Sequence, residues 1–150
     1  MDSFFDGSHS KRLLFVCAEN SSRSQMAEAF ARIHGRDQVE VHSAGSRPSG
    51  EINPQAIEAM RRIGYDLSQH QSKSLEQIPD IEFDLVVTMG CWNECPLVRT
   101  KLREDWNLAD PNGLSDDEFS ALRDRIESNV MTMLLELQIA GHRRWESSAD

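Results

Sequence analysis

No stretch of this sequence approaches the run of about 18 apolar residues that a membrane-spanning helix requires, so no spanning helix is expected. Basic charge is also scarce: 16 Lys and Arg stand against 25 Asp and Glu, a formal net charge of −9. That balance repels polyanions and argues against nucleic acid or an anionic membrane surface as a partner. The opening residues, MDSFFDGSHSK, lack a signal peptide's order of basic, apolar and small residues. Cysteine is rare and its count is odd, three in 150 residues, where a disulfide framework in a small secreted protein usually has an even number. Together these deficits point to a soluble cytoplasmic protein whose thiols stay reduced and are catalytic, metal-bound or buried.

What is present has the balance of a folded domain, with 39% hydrophobic and 27% charged residues. The expected organisation is a flexible leader over residues 1–10 and a single domain over residues 11–150. Residues 13–16, Leu-Leu-Phe-Val, form a continuous apolar run typical of a strand buried on both faces. A polar turn over residues 17–24 follows. A helical pattern then sets Met26, Phe30 and Ile33 against Glu28 and Arg32, with Gly35 as its stop. Residues 39–42 alternate as a second strand. Asn53-Pro54 places an N-cap before a proline at the first helical position, and the helix is expected to run to Gly64.

Residues 65–80 are polar, with a short helix expected near 74–77. Residues 83–89 read as a third, central strand and residues 102–106 as a short fourth. Ser115-Asp116-Asp117-Glu118 is a capping box, opening a last helix with the stripe Phe119, Leu122, Ile126, Val130, Met133 and Leu137. Strands alternating with helices imply parallel crossovers. The expected fold is α/β, a three-layer sandwich around a central four-stranded parallel sheet.

Chemistry gathers where the first strand meets the first helix. Cys17 and Arg23 flank five residues there, a Cys-x5-Arg segment. A loop at that place wraps an anion with the backbone N–H groups of Ala18, Glu19, Asn20, Ser21, Ser22 and Arg23. Arg23 adds a planar bidentate partner for a tetrahedral oxyanion. Arg23 and the helix N-terminus both favour a thiolate at Cys17, and the Ser24 hydroxyl is suited to donate to that sulfur. Asn20 suits a left-handed backbone position in the loop. The plain alternative is a buried Cys17 beside a solvated Arg23, but an arginine and three serines are poor core filler.

VCAENSSRSQMAEAF resembles the phosphate-binding loop of the low-molecular-weight protein tyrosine phosphatase superfamily, and more closely that of its thioredoxin-coupled arsenate reductase branch. The resemblance spans nearly all of residues 12–140, continuing through HSAGSRPSGEINPQAIEAMRRIGYDLSQHQSK, FDLVVTMGCWNECP and EDWNLADP. It implies that Cys17 is the nucleophile and that Asp110, in Asp110-Pro111, is the general acid assisting loss of an oxyanion leaving group. Alone, Asp110 would pass for an ordinary turn residue. Some members hold a potassium ion beside the loop at positions matching Asn20, Glu28 and Ser43. Lys73 stands here where those members carry an aspartate, and its ammonium could substitute for the cation, so this departure from the family predicts no bound potassium.

Cys91 and Cys95 follow the third strand, whose end shares a sheet edge with Cys17. Four residues apart on a helical turn, their Cα atoms would lie about 6 Å apart, within disulfide range. Thiol exchange from Cys17 to Cys91, and then to Cys95, is geometrically open. A zinc site and two inert core cysteines are the competing readings, and the short Cys-x2-Cys spacing of zinc sites is missing. None of the five histidines has a partner at metal-ligand spacing, so neither metal nor cofactor is expected.

The branch resemblance implies reduction of arsenate to arsenite, with phosphate or sulfate as mimics and thioredoxin or a similar dithiol protein as reductant. The later cysteines of the best-known members stand farther apart than Cys91 and Cys95. Two alternatives accompany this reading: a phosphatase acting through a phosphocysteine at Cys17, and a non-catalytic anion or redox sensor.

Overall fold

Five successive buried residues at the end of β1 (Lys11–Cys17) organise the molecule. Leu13, Phe15 and Cys17 belong to one apolar cluster and Leu14 and Val16 to another, so both faces of the strand must be covered. The computed structural model describes residues 10–90 and 98–137. β1 lies between β2 (Val39–Gly45) and β3 (Phe83–Thr88), and β4 (Thr100–Asp105) pairs with β3, giving the order β2-β1-β3-β4 with every pair parallel. The registers align Cys17 with Gly45 and Val16 with Thr88, so three strands end along one edge. The site is built there, where parallel strands release their loops.

The larger cluster joins β1 to α1 (Arg23–Gly35), α2 (Pro54–Arg61) and α3 (Asp116–Glu136), through Met26, Phe30, Met60, Phe119, Ile126 and Val130 among others. On the opposite face Leu14, Val16, Ala44, Phe83 and Val86 are covered, among the described residues, by Leu75, Ile78, Ile81 and Val98. A short 3-10 turn, Leu75–Gln77, belongs to that cover, and its Ser74 capping box fits the short helix expected near 74–77. The four-stranded parallel α/β sheet is as expected.

The helix ends follow local chemistry. Asn53 accepts a hydrogen bond from the Gln55 amide at 2.9 Å, with Pro54 as the first helical residue. Ser115 accepts from the Glu118 amide at 3.1 Å while Glu118 accepts from the Ser115 amide at 2.8 Å, closing the capping box. α2 stops at Arg61, short of the expected Gly64, because the Tyr65 amide returns to Met60 O and Gly64 takes φ +89°. β2 extends past residue 42 to Gly45, whose amide is held by Lys73 O at 2.8 Å. β4 begins two residues early, at Thr100, and ends before Trp106, whose amide bonds to Thr88 O. On α3 the inner position expected for Leu137 is taken by Leu134, while Leu137 is only partly buried.

Residues 1–9 of the expected leader lie outside the described residues, and the Ser10 hydroxyl donates to Asp37 O at 3.3 Å. No helix among the described residues is long and apolar enough to cross a membrane.

Phe15 is fully buried and its ring lies 5.8 Å from that of Trp106. Phe15→Ala is expected to lower stability by about 3–5 kcal/mol in urea unfolding. A loss under about 1 kcal/mol would show that the centre of this sheet can collapse around a void.

Candidate active site

Between Cys17 and α1 the chain turns its carbonyls away from the space it encloses. Ala18 O accepts from the Arg47 amide at 2.8 Å, Ser21 O from the Asn53 amide at 2.9 Å and Ser22 O from the Met26 amide at 2.9 Å. Glu19 O accepts from the Ser49 amide at 3.1 Å and the Ser72 hydroxyl at 3.0 Å, and Asn20 O from Gln25 Nε2 at 3.0 Å. Five successive carbonyls are thus satisfied from outside. Among the described residues, none of the amides of residues 18–22 has a hydrogen-bond acceptor. Such a row of inward amides at a helix N-terminus is an anion-binding concavity. Asn20 makes the turn with φ +51°, in the left-handed region expected for it. Gly45 lies so close beneath that a Cβ there would come within 2.6 Å of Ala18 O.

Side chains behind the loop set the direction of its hydrogen bonds. Asn20 Oδ1 accepts from the Lys73 amide at 2.7 Å and from Gln25 Nε2 at 2.8 Å, which fixes the orientation of its amide group. Asn20 Nδ2 therefore faces Ser24 Oγ at 2.8 Å and Ser43 Oγ at 3.0 Å and donates to both. The Ser43 hydroxyl donates its own hydrogen bond to Glu28 Oε1. Ser24, already accepting from Asn20, is left with its O–H free for Cys17 Sγ at 2.9 Å. The network thus presents a hydroxyl donor to the sulfur, an arrangement that suits a thiolate. Cys17 is 3% exposed and is a free cysteine.

Glu28 is the charge behind this network. Burial pushes its carboxyl upward, but the Ser43 hydroxyl, Lys73, His70 and Arg32 together outweigh burial and hold it below the ordinary glutamate range. Lys73 Nζ lies 3.9 Å from Glu28 Oε1 and donates to Gln71 O at 3.0 Å. Burial lowers the Lys73 ammonium from its usual range, opposed by Glu28. With an ammonium beside Glu28, and Ser43 and Arg32 already on its oxygens, these residues do not fit an additional potassium ion. Among the described residues, no three His, Cys, Asp or Glu side chains cluster as metal ligands.

His70 completes the support. Its Nδ1 donates to Gln25 Oε1 at 2.9 Å and its Nε2 accepts from the Tyr65 hydroxyl at 2.7 Å, a neutral tautomer assigned from these partners. Burial keeps the imidazole below the ordinary histidine range, against the pull of Glu28.

In front of the loop lies an open cavity of about 480 Å³ lined by Cys17, Arg23, Arg47, Glu51, Gly90 and Asp110 with their neighbours. Arg23 is the first residue of α1. Gly90, at φ +81°, lies flush against its guanidinium, since a Cβ there would sit 3.0 Å from Nη1. Asp110 is exposed on the far wall, and its Oδ1 accepts from the Asn112 amide at 3.0 Å in a turn before α3.

The structure brings together Cys17, the 18–23 loop, Ser24 and Asp110, while Cys91 and Cys95 lie outside the described residues. Gln25 and the place of His70 behind the loop carry no motif in the sequence, where Gly90 stands out only as a bracket, with Pro96, of the Cys91–Cys95 segment. A buried glutamine amid Met26, Ala27 and Ala29 was the one available signal for Gln25.

The low molecular weight phosphotyrosine protein phosphatase family matches residues 12–142. The chain is 35% identical over 130 residues to a glutaredoxin arsenate reductase of Synechocystis, covering 85% of this chain and 98% of that relative. To an arsenate reductase of Staphylococcus aureus it is 40% identical over 121 residues, covering 78% and 91%. A solved arsenate reductase in the phosphate binding state superposes with a TM-score of 0.75 at 34% identity, over 84% of this chain and 98% of that one. A thioredoxin-dependent arsenate reductase of Corynebacterium glutamicum superposes at 0.72 with 29% identity, over 89% and 64%.

Two outcomes follow from the geometry. Gly90→Ala is expected to weaken inorganic oxyanion binding roughly tenfold in calorimetry by displacing Arg23, and unchanged affinity would show that the guanidinium yields freely. The second concerns pH. His70 and Glu28 both have folded-state pKa values below the reference values of 6.5 and 4.5. Each therefore contributes stability that is present above its unfolded value and lost as pH falls. The melting temperature should decline as pH falls from 6.5 through 4.5, and His70→Gln should flatten the upper part of that decline. Identical profiles for the two proteins would remove His70 from the account.

Proposed function

The chain belongs to the low molecular weight phosphotyrosine protein phosphatase family, and we propose that it is an arsenate reductase, reducing arsenate to arsenite by a three-thiol relay. The observation that carries this reading is the enclosure of one small cavity by a buried thiol, an arginine, a carboxylate and a row of outward-bonded carbonyls. Arsenate has the tetrahedral shape and charge that inward amides and a guanidinium receive.

In this mechanism the Cys17 thiolate, held by the Ser24 hydroxyl, attacks arsenic and forms an S–As bond. Asp110 protonates the departing oxygen, which leaves as water. Cys91 then attacks the Cys17 sulfur. The S–As bond breaks with its electron pair remaining on arsenic, so arsenic(V) becomes arsenic(III), arsenite leaves and a Cys17–Cys91 disulfide forms. Cys95 attacks Cys91 in turn, freeing the Cys17 thiolate and leaving a Cys91–Cys95 disulfide. An external dithiol protein of the thioredoxin kind reduces that disulfide and accepts the oxidation. A net charge of −9 does not oppose arsenate entry, because Arg23 and the amides act within a few ångströms while distant charges are screened.

The family itself favours a second reading, hydrolysis of phosphate esters through a phosphocysteine at Cys17.

Serine variants separate these readings. Cys17→Ser is expected to release no arsenite, Cys91→Ser none, and Cys95→Ser about one equivalent before stopping, measured as arsenite formed with thioredoxin and its reductase. Asp110→Asn should lower turnover by about 10²–10⁴. Sustained turnover by Cys95→Ser would remove the last exchange. Efficient cleavage of an aryl phosphate with no arsenite release would replace the reductase with the phosphatase.

A further inference from the structure

Ser22 stands at the N-cap of α1 and does not cap it. Its φ of −136° and ψ of −79° lie outside the usual cap geometry, and its hydroxyl bonds to no first-turn amide. Ser115, in the same position on α3, makes that bond. Ser22 is 3% exposed, and its Oγ is the only buried side-chain nitrogen or oxygen among the described residues without a hydrogen-bond partner.

The surroundings are not poorly paired. Asn20 satisfies both ends of its amide, Ser24 bonds to Cys17 and Asn20, and Ser22's own carbonyl accepts from Met26. An orphan hydroxyl in so complete a network calls for a specific cause. Its place supplies one, because Ser22 lines the same cavity as Cys17 and Arg23. The missing cap has the same consequence, since the first-turn amides that a capping serine would occupy stay open for a ligand.

We infer that the Ser22 hydroxyl is a substrate-binding group that donates to an oxygen of the bound oxyanion. The inference rests on the proposed reading of the loop as an oxyanion site and adds a side-chain contact to its backbone amides. Serine has three staggered χ1 wells, so the hydroxyl turns into the cavity when an acceptor arrives. The burial cost of an unpaired donor is then carried by the empty protein and relieved by the ligand. Removing the hydroxyl should therefore act in opposite directions on the empty and the liganded protein, which a merely structural serine would not do.

The test compares the full-length wild type with Ser22→Ala and Ser22→Gly, glycine being well tolerated at N-caps. Melting temperature is measured with and without inorganic phosphate, phosphate affinity by calorimetry, and arsenate KM in the thioredoxin-coupled assay. Without oxyanion, Ser22→Ala is expected to melt at or above the wild-type temperature. Phosphate should bind about tenfold more weakly to both variants, and the arsenate KM should rise by a similar factor, more than kcat falls. Wild-type phosphate affinity and KM in a folded variant would overturn the role of Ser22 alone. Absence of phosphate binding by the wild type would overturn the oxyanion reading of the loop, and this inference with it.

Discussion

The amides of the 17–24 loop face a cavity only because their carbonyls are held elsewhere. A peptide unit turns as a rigid plate, so directing N–H groups inward forces the C=O groups outward, where each needs a donor. The donors come from separate parts of the chain: residues 47–53, Ser72, Gln25 and Met26. The segment between β2 and α2 is therefore a wall for the loop as much as a connection. Gly45, at the end of β2, lets that wall begin against Ala18 O.

Behind the carbonyl wall the arrangement is electrostatic. One buried carboxylate, Glu28, sits among an ammonium, a guanidinium and an imidazole and accepts from the Ser43 hydroxyl, while Asn20, fixed by the Lys73 amide and Gln25, sets the Ser24 hydroxyl toward Cys17. Two hydrogen-bond branches thus leave the Asn20 amide, one through Ser24 to Cys17 and one through Ser43 to Glu28. Cooperative polarisation along such a chain is strongest where water is excluded, which accounts for Asn20, Ser24 and Ser43 all being fully buried.

Much of this is legible in the sequence itself. Continuous apolar runs marked β1 and β3, because a strand covered on both faces has no polar side to show. Asn53-Pro54 and Ser115–Glu118 marked helix starts, because caps are local chemistry. Asn20 was readable as the left-handed residue for the same reason. Less legible were groups whose roles depend on partners distant in sequence. His70 meets Gln25 across 45 residues, and nothing in the spacing of either announces the pair. In the sequence Gly90 only brackets the Cys91–Cys95 segment, and its closeness to Arg23 depends on a residue 67 positions away. α2 ends before its hydrophobic pattern does, because the Tyr65 amide closes the helix on Met60 O.

Cys17 has a double membership. It ends the loop's cavity, and it also belongs to the main apolar core with Phe15, Met26 and Met89. Its sulfur is a packed atom, so the packing around it bounds how far it can move toward the cavity. The mechanical state of the domain is therefore part of the thiol's reactivity. A looser core lends the sulfur more reach, a stiffer one restrains it, and a substitution far from the cavity can alter the chemistry without touching a single polar group.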